Sequence, residues 1–125
     1  MDVFTKSYLV AAMWVSVDGN DEPLDTNYDL EDFSLEAIAQ ATADCEKFQR
    51  DNETELANLP GGLKYYLVDD QAGYDFWMTR NGHGVGFWDR PEYYGVENEH
   101  NLTRASREFG ECTAYVGDDG KIYFM

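Results

Sequence analysis

Two stretches in the first half of this chain carry apolar residues at helical spacing. In residues 4–17, Tyr8, Leu9, Ala12 and Met13 fall near steps of three and four, the period of one helix face. The stretch closes on Trp14-Val15-Ser16-Val17, a β-branched ending that suits a strand as well as a helix, so the predicted helix stops near Ser16. The stronger pattern starts at Ser34. From there Leu35, Ile38, Thr42, Cys45, Phe48, Asn52, Leu56 and Leu59 trace one face of a long amphipathic helix. Ser34 is placed to cap the free amides, and Glu36 lies in the first turn, where the helix dipole favours an anion. Pro60-Gly61-Gly62 ends this helix. Between the two, residues 18–33 hold Gly19, Asn20, Pro23 and Asn27 among acids, which predicts a loop. Its few apolar residues, Leu24, Tyr28, Leu30 and Phe33, are the ones able to pin it to the domain.

The second half changes character. Residues 64–68 form a short apolar run, a strand or a helical turn. Residues 74–79 and 85–89 are aromatic and β-branched, and Asn81-Gly82-His83-Gly84 joins them, so the pattern predicts a β-hairpin. Residues 98–109 read as a helix with Leu102, Ala105, Ser106 and Phe109 inward and Gly110 after its end. Residues 112–116 and 121–124 predict a second hairpin around Gly117-Asp118-Asp119-Gly120. The expected fold class is α+β, a small antiparallel sheet of two hairpins packed against about three helices. A length of 125 residues suits one domain, with an acidic helical part over residues 1–62 and a hairpin–helix–hairpin part over residues 63–125.

Charge adds what the apolar pattern cannot. The chain has 25 acids against 9 bases, a formal charge of -16. Residues 18–36 hold eight acids (Asp18, Asp21, Glu22, Asp25, Asp29, Glu31, Asp32 and Glu36) and no Lys or Arg. Residues 1–62 carry a net charge of -11 and residues 63–125 a net charge of -5. Such a charge opposes compaction and serves solubility, attraction to a basic partner, or repulsion of nucleic acid and anionic membrane. With 43% hydrophobic and 15% aromatic residues the chain can still bury a core, which excludes global disorder. No apolar run approaches the roughly 18 residues that a membrane span needs. The start, Met1-Asp2-Val3-Phe4, lacks the basic stretch and long apolar run of a signal peptide. We therefore expect a cytoplasmic protein. Cys45 and Cys112, far apart and outside any metal-ligand spacing, are read as buried thiols, with a disulfide as the lesser alternative. Asn52-Glu53-Thr54 and Asn101-Leu102-Thr103 match the glycosylation pattern, which has meaning only in a secreted chain.

The string FWMTRNGHGVGFWDR at residues 76–90, together with YVGDDGKIY at residues 115–123, resembles a family of small acidic proteins encoded mainly by bacteriophages. The likeness covers roughly half of the chain and is looser in the long helix ahead of it. No activity is assigned to that family, so the resemblance implies an origin rather than a reaction. Many members carry His just before the Asp-Phe-Trp, where this chain has Tyr74, and this departure argues against a catalytic histidine there.

The chemistry on offer is modest. Asp75, Arg80, His83, Asp89 and Arg90 lie close in sequence, and such types can build a nuclease or phosphotransfer site. The plainer reading is an exposed turn histidine beside structural pairs, Arg80 and Arg90 with Asp75 and Asp89, and no enzyme is expected. Gly82-His83-Gly84-Val85-Gly86 is glycine-rich but leads into a predicted strand, so it is not a dinucleotide fingerprint. Asp18-Gly19-Asn20-Asp21-Glu22 and Asp118-Asp119-Gly120 offer hard oxygen ligands without the alternating spacing of a calcium loop. No cofactor and no specific metal are expected.

The leading expectation is an acidic phage-type inhibitor or modulator that occupies a basic, nucleic-acid-binding surface of a host defence protein by charge mimicry. Duplex DNA presents about one charge per 1.7 Å of axis, and a row of carboxylates can take its place in a basic groove. The expected contact residues are Asp18, Asp21, Glu22, Asp25, Asp29, Glu31 and Asp32, with Trp77 and Trp88 as aromatic anchors, one of them buried. Direct nucleic-acid binding is not expected, because no basic stripe is present, and neither is membrane binding. The alternatives are an accessory protein whose acidity serves only solubility, or a small-ligand sponge using Arg80, Arg90, Arg104 and Arg107.

Overall fold

The computed structural model describes residues 1–57 and 68–125. Helix α1 spans Val3–Val15, and the Asp2 carboxylate caps it by accepting from the Thr5 N–H at 2.8 Å. The chain then turns through a short helix, α2 (Leu24–Asn27), and a 3-10 turn, Leu30–Asp32. Helix α3 spans Leu35–Asp51 and starts where expected, with the Ser34 hydroxyl accepting from the Ala37 N–H at 3.0 Å. Helices α4 (Glu53–Ala57), α5 (Val68–Arg80), α6 (Pro91–Tyr94) and α7 (Val96–Glu108) follow, with a 3-10 turn at Phe87–Asp89 between α5 and α6. Strands β1 (Ala114–Val116) and β2 (Ile122–Phe124) close the chain as an antiparallel pair with Tyr115 opposite Tyr123.

The architecture is α+β in the broad sense, but helix predominates. Seven α-helices stand among the described residues where about three were expected, and one hairpin stands where two were expected. The helix at residues 98–109 and the closing hairpin lie where the sequence put them. The first hairpin is overturned. Residues 74–79 belong to α5, and residues 85–89 form a bend and a 3-10 turn. Helix α5 lies along α1 in the centre of the molecule. Ala72, Gly73 and every position from Asp75 to Arg80 are buried, so no amphipathic period is left to reveal the helix, and burial overrides the strand-like composition. Asn81-Gly82 is a helix stop rather than a hairpin turn. Gly82 takes φ +67°, its N–H donates to the Thr79 carbonyl, and the His83 N–H donates to the Met78 carbonyl. That double closure is a Schellman motif, which needs the same positive φ that a hairpin turn would.

The long helix is also shorter than predicted. It breaks at Asn52, whose side-chain amide donates to the Phe48 carbonyl at 2.8 Å. Of the predicted face, Cys45, Phe48 and Asn52 are buried and Ile38, Thr42 and Leu56 half-buried, while Leu35 is 86% exposed and Ala37 and Ala41 join the buried stripe. The predictions for Leu59, for Pro60-Gly61-Gly62 and for residues 64–67 lie outside the described residues.

An aromatic cluster fills the core. Phe48 stacks on Phe76 with ring centroids 4.2 Å apart. Tyr8 lies 5.3 Å from Phe76, and Phe109 meets the same ring edge-on at 5.0 Å. Phe87 lies against Phe48 at 5.7 Å. Large rings at such spacings supply much of the burial a domain of this size needs.

Candidate functional site

The acidic segment is an ordered excursion between α1 and α3, and its own carboxylates shape it. Asp18 Oδ1 accepts from the Asn20 and Glu22 amides at 2.8 and 3.1 Å. Asp29 Oδ1 accepts from the Glu31 amide at 2.9 Å, and Asp32 Oδ2 accepts in return from the Asp29 amide at 2.9 Å. Glu22 Oε2 accepts from the Asn27 side chain at 2.8 Å. Asp21 sits at φ +60°, a left-handed position that Asp tolerates. The predicted apolar pins hold: Leu24 and Phe33 are buried, and Tyr28 and Leu30 are half-buried. Phe33 bridges to Ile122, the Ser34 N–H donates to the Ile122 carbonyl at 2.9 Å, and the Phe33 ring lies 5.7 Å from Phe124. The segment is thereby tied to β2.

Asp21, Glu22, Asp25, Asp29 and Glu31 are exposed, while Asp18 and Asp32 are half-buried. Among the described residues the ion pairs are Lys47–Asp51, Arg50–Asp51, Arg80–Asp44 and Arg90–Asp75. None involves a carboxylate of residues 18–36. Near the end of the segment a shallow cleft gathers Glu31, Glu36 and Asp119 beside Lys121.

The aromatic anchors divide. Trp77 is 2% exposed in the core, edge-on to Tyr8 at 5.2 Å, and is corrected from a contact residue to a core residue. Its position on the central helix α5 leaves it no outer face. Trp88 is 41% exposed. The residue that sequence reasoning missed is Trp14, 57% exposed on α1 in line with the exposed Val3 and Val10 and followed, past the end of the helix, by the exposed Val17. Its signal lies in the sequence: α1 has more apolar residues than one inward face can take, and the second set, Val3, Val10 and Trp14, recurs at steps of seven and four. Trp14 also lies against Tyr74, with centroids 5.9 Å apart. The apolar stripe ends at Val17, where the acidic run begins.

The candidate catalytic group does not assemble. Asp75 is buried and accepts from the Tyr94 hydroxyl at 2.7 Å, from Gln71 at 3.1 Å and from Arg90 Nε at 3.0 and 3.2 Å on its two oxygens. Burial lifts its carboxyl above the ordinary range, and these donors offset the rise only in part. Arg80 turns to a different network, donating to Asp44 Oδ2 at 2.9 Å, to the Tyr8 hydroxyl at 3.0 Å and to the Gly110 and Phe109 carbonyls at 2.8 and 3.2 Å. Arg90 thus takes Asp75, while Arg80 pairs with neither of its expected partners. Asp89 is exposed and His83 half-buried at the helix stop. Cys45 and Cys112 are buried free thiols, and burial raises the pKa of both.

Among the described residues no three His, Cys, Asp or Glu side chains converge as metal ligands, and no helix is long and apolar enough to cross a membrane. Comparison with protein-family models, with curated proteins and with solved structures gave no match.

Proposed function

We propose that this protein is an inhibitor or modulator that docks on a basic, nucleic-acid-binding surface of a host protein. Residues 18–36 supply the charge mimicry and the outer stripe of α1 supplies the apolar anchor. The observation that carries this reading is a run of eight carboxylates, of which Asp18, Glu22, Asp29 and Asp32 shape the segment through local hydrogen bonds and none has a Lys or Arg ion-pair partner among the described residues. Turns closed by those hydrogen bonds leave less backbone entropy to lose on binding, and unpaired charge steers a basic partner from a distance. Val3, Val10, Trp14 and Val17 lead directly into that row, giving an aromatic-centred contact beside a charged one, the composition of an interface hot spot and its rim.

The test is affinity capture from a bacterial host lysate with the full chain, washed at about 0.1 M and then about 0.5 M salt, where screening shortens. A nucleic-acid-binding protein should be retained at low salt, released at high salt and displaced by duplex DNA. The variant Asp21→Asn/Asp25→Asn/Glu31→Gln, which leaves the turn-forming carboxylates in place, should lose most of that capture while melting no lower than the parent. Undiminished capture by this variant would overturn charge mimicry. Loss on Trp14→Ala with no dependence on salt would assign the contact to the apolar stripe and the acidity to solubility.

A further inference from the structure

The face of α7 that points away from the core carries a second feature, a pair of arginines beside an exposed tryptophan. Leu102 and Ser106 are buried beneath the helix. On its outer side Arg104 and Arg107, with Trp88 from the 3-10 turn, line an open cleft of ≈ 700 Å³, within the size range of small-molecule sites. In a chain with 25 acids against 9 bases, an arginine is expected to find a carboxylate. Yet neither Arg104 nor Arg107 has an ion-pair partner among the described residues. Arg104 spends one N–H on Asn101 Oδ1 at 2.8 Å, which steadies the side chain and leaves the rest of its fork free. Their spacing of three places the two guanidinium groups on one helix face.

One further observation points to a ligand. Trp88 keeps 41% of its surface exposed beside the arginines, a planar apolar platform next to free donors. A planar platform takes an aromatic ring, and a pair of guanidinium forks takes an oxyanion in charge-assisted, bidentate fashion. Glu99 and Glu108 bound the same cleft. They can accept from hydroxyl groups, and they repel additional phosphates, so a single phosphate suits the site better than a chain of three.

We propose that the cleft binds a nucleoside monophosphate, with the base on the Trp88 indole and the phosphate between Arg104 and Arg107. This site is separate from the acidic segment and does not depend on the function proposed for it.

The experiment is a ¹H–¹⁵N NMR titration of the full chain with adenosine monophosphate, adenosine triphosphate, adenosine and inorganic phosphate. The Trp88 indole signal is identified by its loss in Trp88→Phe. Adenosine monophosphate should shift that signal and the α7 amides saturably, with half-saturation at about 0.1–1 mM, and each of the other three should bind more weakly. Arg104→Gln/Arg107→Gln should weaken binding about tenfold or more with the spectrum elsewhere unchanged. The proposal is overturned by no saturable shift at about 10 mM, or by full affinity in the double variant. An equal response to inorganic phosphate alone would also overturn it, reducing the cleft to a general anion site.

Discussion

Tyr123 and Asp119 show how single side chains set local titration in this protein. The Tyr123 hydroxyl donates to Asp119 Oδ2 at 2.6 Å, across the turn of the hairpin. That bond pushes the phenol up from 10.0 to about 12. Together with the Lys121 amide it holds the Asp119 carboxyl below 3.8. The signs differ at the two ends of the pH scale. The raised phenol contributes stability in full below pH 10, lost as pH rises through about 12. The depressed carboxyl contributes above its ordinary value and is lost as pH falls through its lowered one. An NMR pH titration should find the Tyr123 ring titrating near 12, and Tyr123→Phe should return Asp119 toward the ordinary carboxylate range. A Tyr123 ring that titrates with the ordinary tyrosines, or an Asp119 unmoved by the substitution, would refute the coupling. The same contact is invisible in the sequence, where Asp118-Asp119-Gly120 reads only as turn chemistry.

At the scale of elements, the decisive contact is α1 against α5. The Gly73 backbone comes so close to α1 that an added Cβ would lie 2.1 Å from the Phe4 carbonyl oxygen and 3.1 Å from Ser7 Cβ. Gly73→Ala gains helix propensity of roughly 1 kcal/mol, but the clash is with backbone and forces the two helices apart. We expect a net destabilisation of about 1–3 kcal/mol, read as a clear fall in melting temperature. At Gly19 an added Cβ would meet nothing within 4 Å, so Gly19→Ala should melt like the parent. Equal melting of both variants would mean that the two helices are not packed this closely. The small residue that marks this contact is visible in the sequence, but its meaning is not. Gly73 precedes Tyr74 in a run that alternation assigns to a loop and strand, and only the presence of α1 on one side makes it a helix–helix contact.

At the scale of the molecule, most of the charge is uncompensated. Against a formal charge of -16, the four ion pairs among the described residues engage three acids, Asp44, Asp51 and Asp75. Self-repulsion of this kind weakens the folded state and is relieved by screening. Raising sodium chloride from about 10 mM to about 200 mM shortens the screening length from about 30 Å to below 10 Å. The melting temperature should rise over that range, and the rise should be smaller in Asp21→Asn/Asp25→Asn/Glu31→Gln. Melting that is flat or falls with salt would show that the acids are not a net load on the fold. The acidic segment belongs to this background of negative charge, and the Arg104–Arg107 cleft departs from it.

Neighbours along the chain encode the features that are legible without the fold. The Ser34 cap, the closing hairpin with its Gly117-Asp118-Asp119-Gly120 turn, the helix ending before Gly110 and the unbroken acidic run all depend on residues a few positions apart. Tertiary structure decides everything that depends on what lies across the gap. It makes 68–80 a helix, buried on nearly every side from Ala72 onward, turns Leu35 and Trp14 outward and Trp77 inward, and gives Arg80 to Asp44 and Arg90 to Asp75. Apolarity states that a side chain can be buried, and charge that it can be paired. Only the packing of α1, α3, α5 and α7 states which face is inside and which partner is within reach.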